Sequence, residues 1–290
     1  MDPSTILSTL LWGVAIGCIY ILLATGLNII FGVMKLVNFA HGQLLMVGAF
    51  IAYSVTVATG LNAYIAILVS MVTVAALGIL VERYTFRKVL GTDKLNEIFI
   101  SLGLIYIFEN AAMLIWGYKN QQIVTPFNRL TLDFYGLSIP YDLIAALIIA
   151  VGMLASITFI IQKTKIGLAM RATSQKREPA MLMGINIDKI YLITFAIGAA
   201  LAGVAGALFG IIYPFSYKSG SMPTIKAFSI IILGGLGSIR GAIVGGLLYG
   251  ITEQFAVLFL GGIWGNAIAF VLLIVVLVIR PTGLFGEKGE

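Results

Sequence analysis

Apolar residues run along this chain in blocks rather than in alternation. Blocks cover residues 5–32, 43–58, 61–81, 98–116, 141–161 and 190–212, then a shorter one at 224–239, then 241–260 and 265–279. A helix needs about 20 apolar residues to cross a hydrocarbon layer roughly 30 Å thick. Backbone groups in lipid must pair within their own segment, so the blocks predict helices. The alternating pattern of a membrane β-barrel is absent. The expected fold is all-α: a polytopic integral membrane protein of eight or nine transmembrane helices, with a short or broken helix near 224–239. One domain is expected over 1–290.

Two breaks interrupt the apolar pattern. The first is V-M-K-L-V-N-F-A-H-G, ending at Gly42, and Asn28, Asn38, His41 and Gln43 gather around it. The second is Gly234-Gly235-Leu236-Gly237, followed by Arg240. Polar groups at membrane depth are costly unless they face protein or water, and broken helices mark transport sites in carriers. These residues therefore fit the lining of a pathway. Asn38 and His41 equally fit a helix cap at the interface, and the glycines a tight turn. Three polar connectors stand out. Residues 82–97 hold four basic and three acidic residues, 117–140 holds Pro126 and Pro140, and 163–189 holds six Lys/Arg.

Composition agrees with the pattern. The chain is 60% hydrophobic and 10% charged, against about 25% charge in soluble domains. Its mean hydropathy is +1.06. The net charge of +6 does not point to nucleic acid, because the basic residues sit at the edges of apolar blocks, where they set orientation. With the N-terminus outside and nine crossings, fourteen basic residues fall inside and four outside (Lys119, Arg129, Lys218 and Lys226). The C-terminus is then cytoplasmic. Cys18 is the only cysteine, so no intrachain disulfide can form. The start, MDPSTIL, has no basic n-region, and the first block is expected to stay as a helix.

No catalytic constellation is visible. His41 is the only histidine, and no metal-ligand spacing, phosphate-binding loop or serine elbow occurs. An enzyme is not expected, nor a cofactor in this chain. Glu109 and Glu253 lie inside apolar blocks, as proton sites or as hydrogen-bonding glue between helices. Gly198, Ala202, Gly206 and Gly210 recur every fourth residue, a face for close helix contact. In the basic connector, Pro179 is tolerated only in a first helical turn. A short helix is therefore expected at about 178–183, closed by Gly184. Glu178, Pro179, Ala180, Met181, Met183 and Gly184 form this element, and Met181, Leu182 and Met183 give it an apolar patch. Such a patch suits a partner's groove or a lipid surface.

Six stretches carry a family resemblance: G-L-N-I-I-F-G-V-M-K-L-V-N-F-A-H-G at 26–42, A-M-R-A-T-S-Q at 169–175, L-M-G-I-N at 182–186, F-A-I-G-A-A-L-A-G-V-A-G at 195–206, I-L-G-G-L-G-S-I-R-G at 232–241 and R-P-T-G-L-F-G at 280–286. The chain resembles the permease subunits of prokaryotic branched-chain amino acid ABC importers, of LivH type. The resemblance implies import of leucine, isoleucine or valine across the plasma (inner) membrane. It also implies a second, related permease, two cytoplasmic ATPases that hold the phosphate-binding loops, and an external binding protein. The importers' E-A-A-x-x-x-G coupling pattern is similar to Glu178, Pro179, Ala180 and Gly184, with Pro179 where Ala is usual. Urea or short-chain amide import by the same architecture, a proton-coupled carrier and a structural membrane subunit are the competing expectations.

Overall fold

The computed structural model describes residues 3–285, except 129, 135, 136 and 281. Arg129 and Lys288, both used in counting charge, lie outside the described residues, as do Met1 and Asp2 of the N-terminal segment. Among these residues eleven α-helices follow in order: α1 (Pro3–Met34), α2 (His41–Thr59), α3 (Ala63–Tyr84), α4 (Lys94–Trp116), α5 (Tyr141–Lys163), α6 (Lys165–Gln175), α7 (Arg177–Leu182), α8 (Ile187–Ile212), α9 (Ser221–Gly234), α10 (Ile239–Leu260) and α11 (Gly262–Ile279). Among the described residues seven helices are long and apolar enough to span a membrane, and α9 and the 270–279 part of α11 are shorter apolar helices. This is the all-α polytopic fold that the apolar blocks predict.

Among the described residues, the connector at 117–140 holds the strands. Strands β1 (Thr131–Phe134) and β2 (Leu137–Pro140) pair antiparallel, Thr131 facing Pro140. Gln121 and Phe215 exchange two backbone hydrogen bonds of 2.8 Å, tying this connector to the end of α8. Asp142 at the start of α5 accepts from Tyr64 at 2.8 Å and Thr125 at 2.6 Å.

Helices α1 and α8 form the centre, and most of their residues are buried. Helix α2 packs on α8 through small residues. A Cβ on Gly206 would overlap the Leu45 carbonyl oxygen, and one on Gly48 would fall 2.7 Å from the Gly203 Cα. The Ser70 hydroxyl sits over the same crossing and reaches the Gly48 and Gly203 carbonyls at 2.9 and 3.1 Å. A second seam joins α1 to α10, where a Cβ on Gly250 would fall 2.5 Å from the Gly17 Cα. Without a hydrophobic force between helices in lipid, such backbone-close contacts carry the association. Helix α4 is peripheral, with Phe99, Tyr106, Ile107 and Leu114 exposed.

Two boundaries differ from those expected of the sequence. Helix α9 starts at Ser221 and ends at Gly234, rather than running 224–239. Pro223 is accepted because it lies in the first turn, where no N–H is needed. Gly235 and Gly237 have φ of +103° and +87°, which stops the helix and turns the chain into α10. Lys226, counted outside from the sequence, is buried within α9, so it does not count among the water-exposed outer bases.

Candidate functional site

Helices α2 and α9 both begin inside the bundle. Residues 35–40 run without helix from the end of α1 to His41, and Leu36, Asn38 and Ala40 are buried there. Irregular backbone at this depth is tolerated because protein covers it. The outer end of this segment is held by α4: Lys94 donates to the Lys35 carbonyl at 2.7 Å and pairs with Glu97 at 3.0 Å. His41 packs where α1 and α8 cross. A Cβ on Gly26 would lie 3.0 Å from its Nε2 and 2.6 Å from the Gly198 carbonyl oxygen. Gly198 is near the middle of α8, so the first turn of α2 sits at mid-depth.

The first turn of α9 meets it there. The Gly42 N–H donates to Thr224 Oγ1 at 3.0 Å. The Gln43 amide donates to Ser221 Oγ at 3.3 Å and to Glu109 Oε1 at 3.1 Å, and Ser221 Oγ donates to the same carboxylate oxygen at 2.9 Å. A Cβ on Gly220 would overlap Gln43 Oε1, so only glycine lets the chain enter α9 at this point. Three helices, α2, α4 and α9, thus share one polar junction within an apolar bundle.

The sequence candidates divide among separate places. Gln43 and Glu109 join at the junction. Asn38 does not reach it: its Oδ1 accepts from the Ala40 N–H at 3.0 Å and shapes its own turn. His41 is fully buried, and neither ring nitrogen has a hydrogen-bond partner among the described residues. Asn28 serves the second break instead, accepting from the Gly237 N–H at 2.7 Å. Gly234 packs on Gly241, and the tail closes over this break, with the Leu284 and Phe285 N–H groups donating to the Leu233 and Gly234 carbonyls at 2.9 and 3.0 Å. Gly235 there supplies the backbone turn.

Glu253 is not an isolated carboxylate. It pairs with Lys226 at 2.6 Å, and Lys226 also donates to Tyr20 at 2.9 Å. Read from the sequence, Lys226 was a water-exposed base near Pro223, so this pair was not visible there. Glu82 was missed in the same way. It is buried, pairs with Arg87 at 3.0 Å, and Arg87 reaches the Asp188 carbonyl at the start of α8. No group of three or more metal-binding side chains is present among the described residues.

The basic connector forms α6 and then α7. Helix α7 starts at Arg177, one residue before the expected start, and places Pro179 in its first turn. Gly184 has φ of +81°. Its N–H donates to the Met181 carbonyl at 2.9 Å and the Ile185 N–H to the Ala180 carbonyl at 3.2 Å. This is a Schellman-type closure, with glycine in the left-handed position. Glu178 lies in the first turn, Ala180 faces inward, and Met181, Leu182 and Met183 are 47%, 88% and 84% exposed. Exposed apolar patches of this kind mark sites of protein or membrane contact.

The family model described as the branched-chain amino acid transport system permease component matches residues 9–277. The high-affinity branched-chain amino acid transport system permease protein BraD of Pseudomonas aeruginosa is 35% identical, over 97% of this chain and 96% of its own length. LivH of Escherichia coli, a permease protein of the same description, is 33% identical over 95% and 94%. The permease protein LivM of Escherichia coli is 26% identical, over 92% of this chain and 67% of its own length.

Proposed function

Because the chain belongs to the family of branched-chain amino acid transport permease components, we propose that it is the membrane-spanning permease subunit of an ATP-binding-cassette importer of leucine, isoleucine and valine. The branched-chain amino acid transport role of its relatives supports this cargo over urea or short-chain amides. The observation that carries the coupling part is α7, a capped helix with bare Met181, Leu182 and Met183 between α5 and α8.

The proposed assembly holds a second, related permease, two cytoplasmic ATPases and an external binding protein, within the lipid of a prokaryotic plasma membrane. Similarity to both LivH and LivM supports a pair of related permeases. The N-terminus is proposed outside and the C-terminus in the cytoplasm. With Lys226 buried, fourteen basic residues fall on the inner side and three on the outer.

In this reading ATP binding draws the ATPases together, and α7 moves with the groove that holds it. Helices α5 and α8 follow, being joined to α7 through α6 and 183–186. The pathway opens alternately at the mid-depth junction of α2 and α9. Two packings close in free energy are required, and the glycine seams of α1, α8 and α10 suit such re-packing.

The test is uptake by proteoliposomes holding the permease pair and ATPases, with the binding protein added. Leucine uptake should require ATP and persist when the proton gradient is dissipated. Gly184→Trp should abolish uptake and amino acid-stimulated ATP hydrolysis together. Uptake that survives this change would sink the docking assignment.

A further inference from the structure

We propose that Glu109 receives the α-ammonium group of the amino acid in transit, at the polar junction of α2, α4 and α9. The proposal rests on the transport reading above and deepens it.

Glu109 is half-buried at mid-depth, on a helix that the rest of the chain covers little. One carboxylate oxygen, Oε1, is held by Gln43 and Ser221. The other, Oε2, has no hydrogen bond among the described residues, and no basic side chain pairs with Glu109 there, in contrast to Glu82, Glu97 and Glu253. A carboxylate that stays ionised at this depth needs water, a cation or further donors, and lipid supplies none of them. An aqueous space on the face that Oε2 opens on is part of the proposed site.

The surroundings match one class of ligand. Met222 and Ile225 of α9 are 50% and 46% exposed next to Ser221. Tyr106 and Leu102 stand on the same side of α4, one and two turns before Glu109, and are also exposed. A single anionic oxygen beside an apolar wall fits a primary ammonium that carries an aliphatic side chain. The two hydrogen bonds aim the carboxylate, and its charge makes the contact.

Glu109→Gln separates charge from shape, since an amide oxygen can still accept from Gln43 and Ser221. In the reconstituted importer this change should lower leucine uptake by about tenfold or more, a loss of at least about 1.4 kcal/mol at the limiting step. ATP hydrolysis stimulated by the binding protein should remain, and Glu109→Asp should restore part of the uptake. A labelling experiment reads the charge directly. With Met222→Cys in a Cys18→Ser background, the cationic ethylammonium methanethiosulfonate should react about tenfold faster than the anionic ethylsulfonate reagent, after correction for a free thiol. Glu109→Gln should abolish that preference, and leucine should slow the cationic reagent. Wild-type uptake in Glu109→Gln, or a reagent preference indifferent to Glu109, would overturn the proposal. So would loss of assembly and stimulated hydrolysis along with uptake, which marks a structural role. If the unmodified importer takes up no leucine, the transport reading falls instead, while the labelling ratio still reports the charge at Glu109.

Discussion

Lys226 and Glu253 form an ion pair of 2.6 Å between α9 and α10, with Tyr20 of α1 as a second acceptor for the ammonium. Both side chains are largely buried. Taking two charges out of water costs more than one contact returns unless the geometry is good, but removing one partner leaves the other stranded. Glu253→Leu should therefore destabilise the protein by about 3–5 kcal/mol. The double change Lys226→Met with Glu253→Leu should recover most of that loss. Thermal aggregation midpoints of the detergent-purified protein, single changes against the double, check this.

Asn28 accepts from the Gly237 N–H at 2.7 Å and so fixes the turn between α9 and α10 from across the bundle. Asn28→Ala leaves that donor without an acceptor, at a cost of about 1–3 kcal/mol. Hydrogen exchange should report the change locally, with the amide at Gly237 exchanging faster while those at the α2 junction keep their protection.

How much of this was legible in the chain follows from length scales. The apolar blocks are set by bilayer thickness, so residues 43–58 and 141–161 located α2 and α5 to within a turn or so. The breaks at 33–42 and 234–237 were visible because polar and glycine residues interrupt lipid-soluble runs. Partners across the bundle were not visible. Asn28 was grouped with Asn38 because they are near in sequence, whereas its contact is 209 residues away. Lys226 was counted among the outer bases because it lies near the outer end of its apolar block, and its partner Glu253 is 27 residues away. Ser221 and Thr224 carry no signal of their own until α2 and α9 are seen to meet.

Two glycines should respond to alanine in opposite directions. At Gly206 the new methyl would overlap the Leu45 carbonyl, a backbone atom that cannot turn aside. Gly206→Ala should cost about 1–3 kcal/mol, the usual range for overpacking. At Gly103 of α4 nothing lies within 4 Å of the added carbon. Gly103→Ala should be neutral or stabilise by up to about 1 kcal/mol through helix propensity. Melting curves of the two variants should move to opposite sides of the parent.

Leu182 and Met183 are 88% and 84% exposed. Serine at either position should leave stability within about 0.5 kcal/mol of the parent, as for other surface changes. Under the docking proposal the same two side chains fill a groove on the ATPase, where truncating a buried anchor costs about 2 kcal/mol or more. Leu182→Ser should then release the ATPases during purification and cut ATP-driven uptake by at least about tenfold, each 1.4 kcal/mol being a factor of ten. Ala180, which faces inward, should behave in the reverse manner: enlarging it disturbs α7 itself and lowers stability before docking is tested. Comparing melting temperature with ATPase retention for the two positions separates a docking patch from a structural one. Leu182→Ser protein that melts normally and keeps its ATPases would remove α7 as the contact.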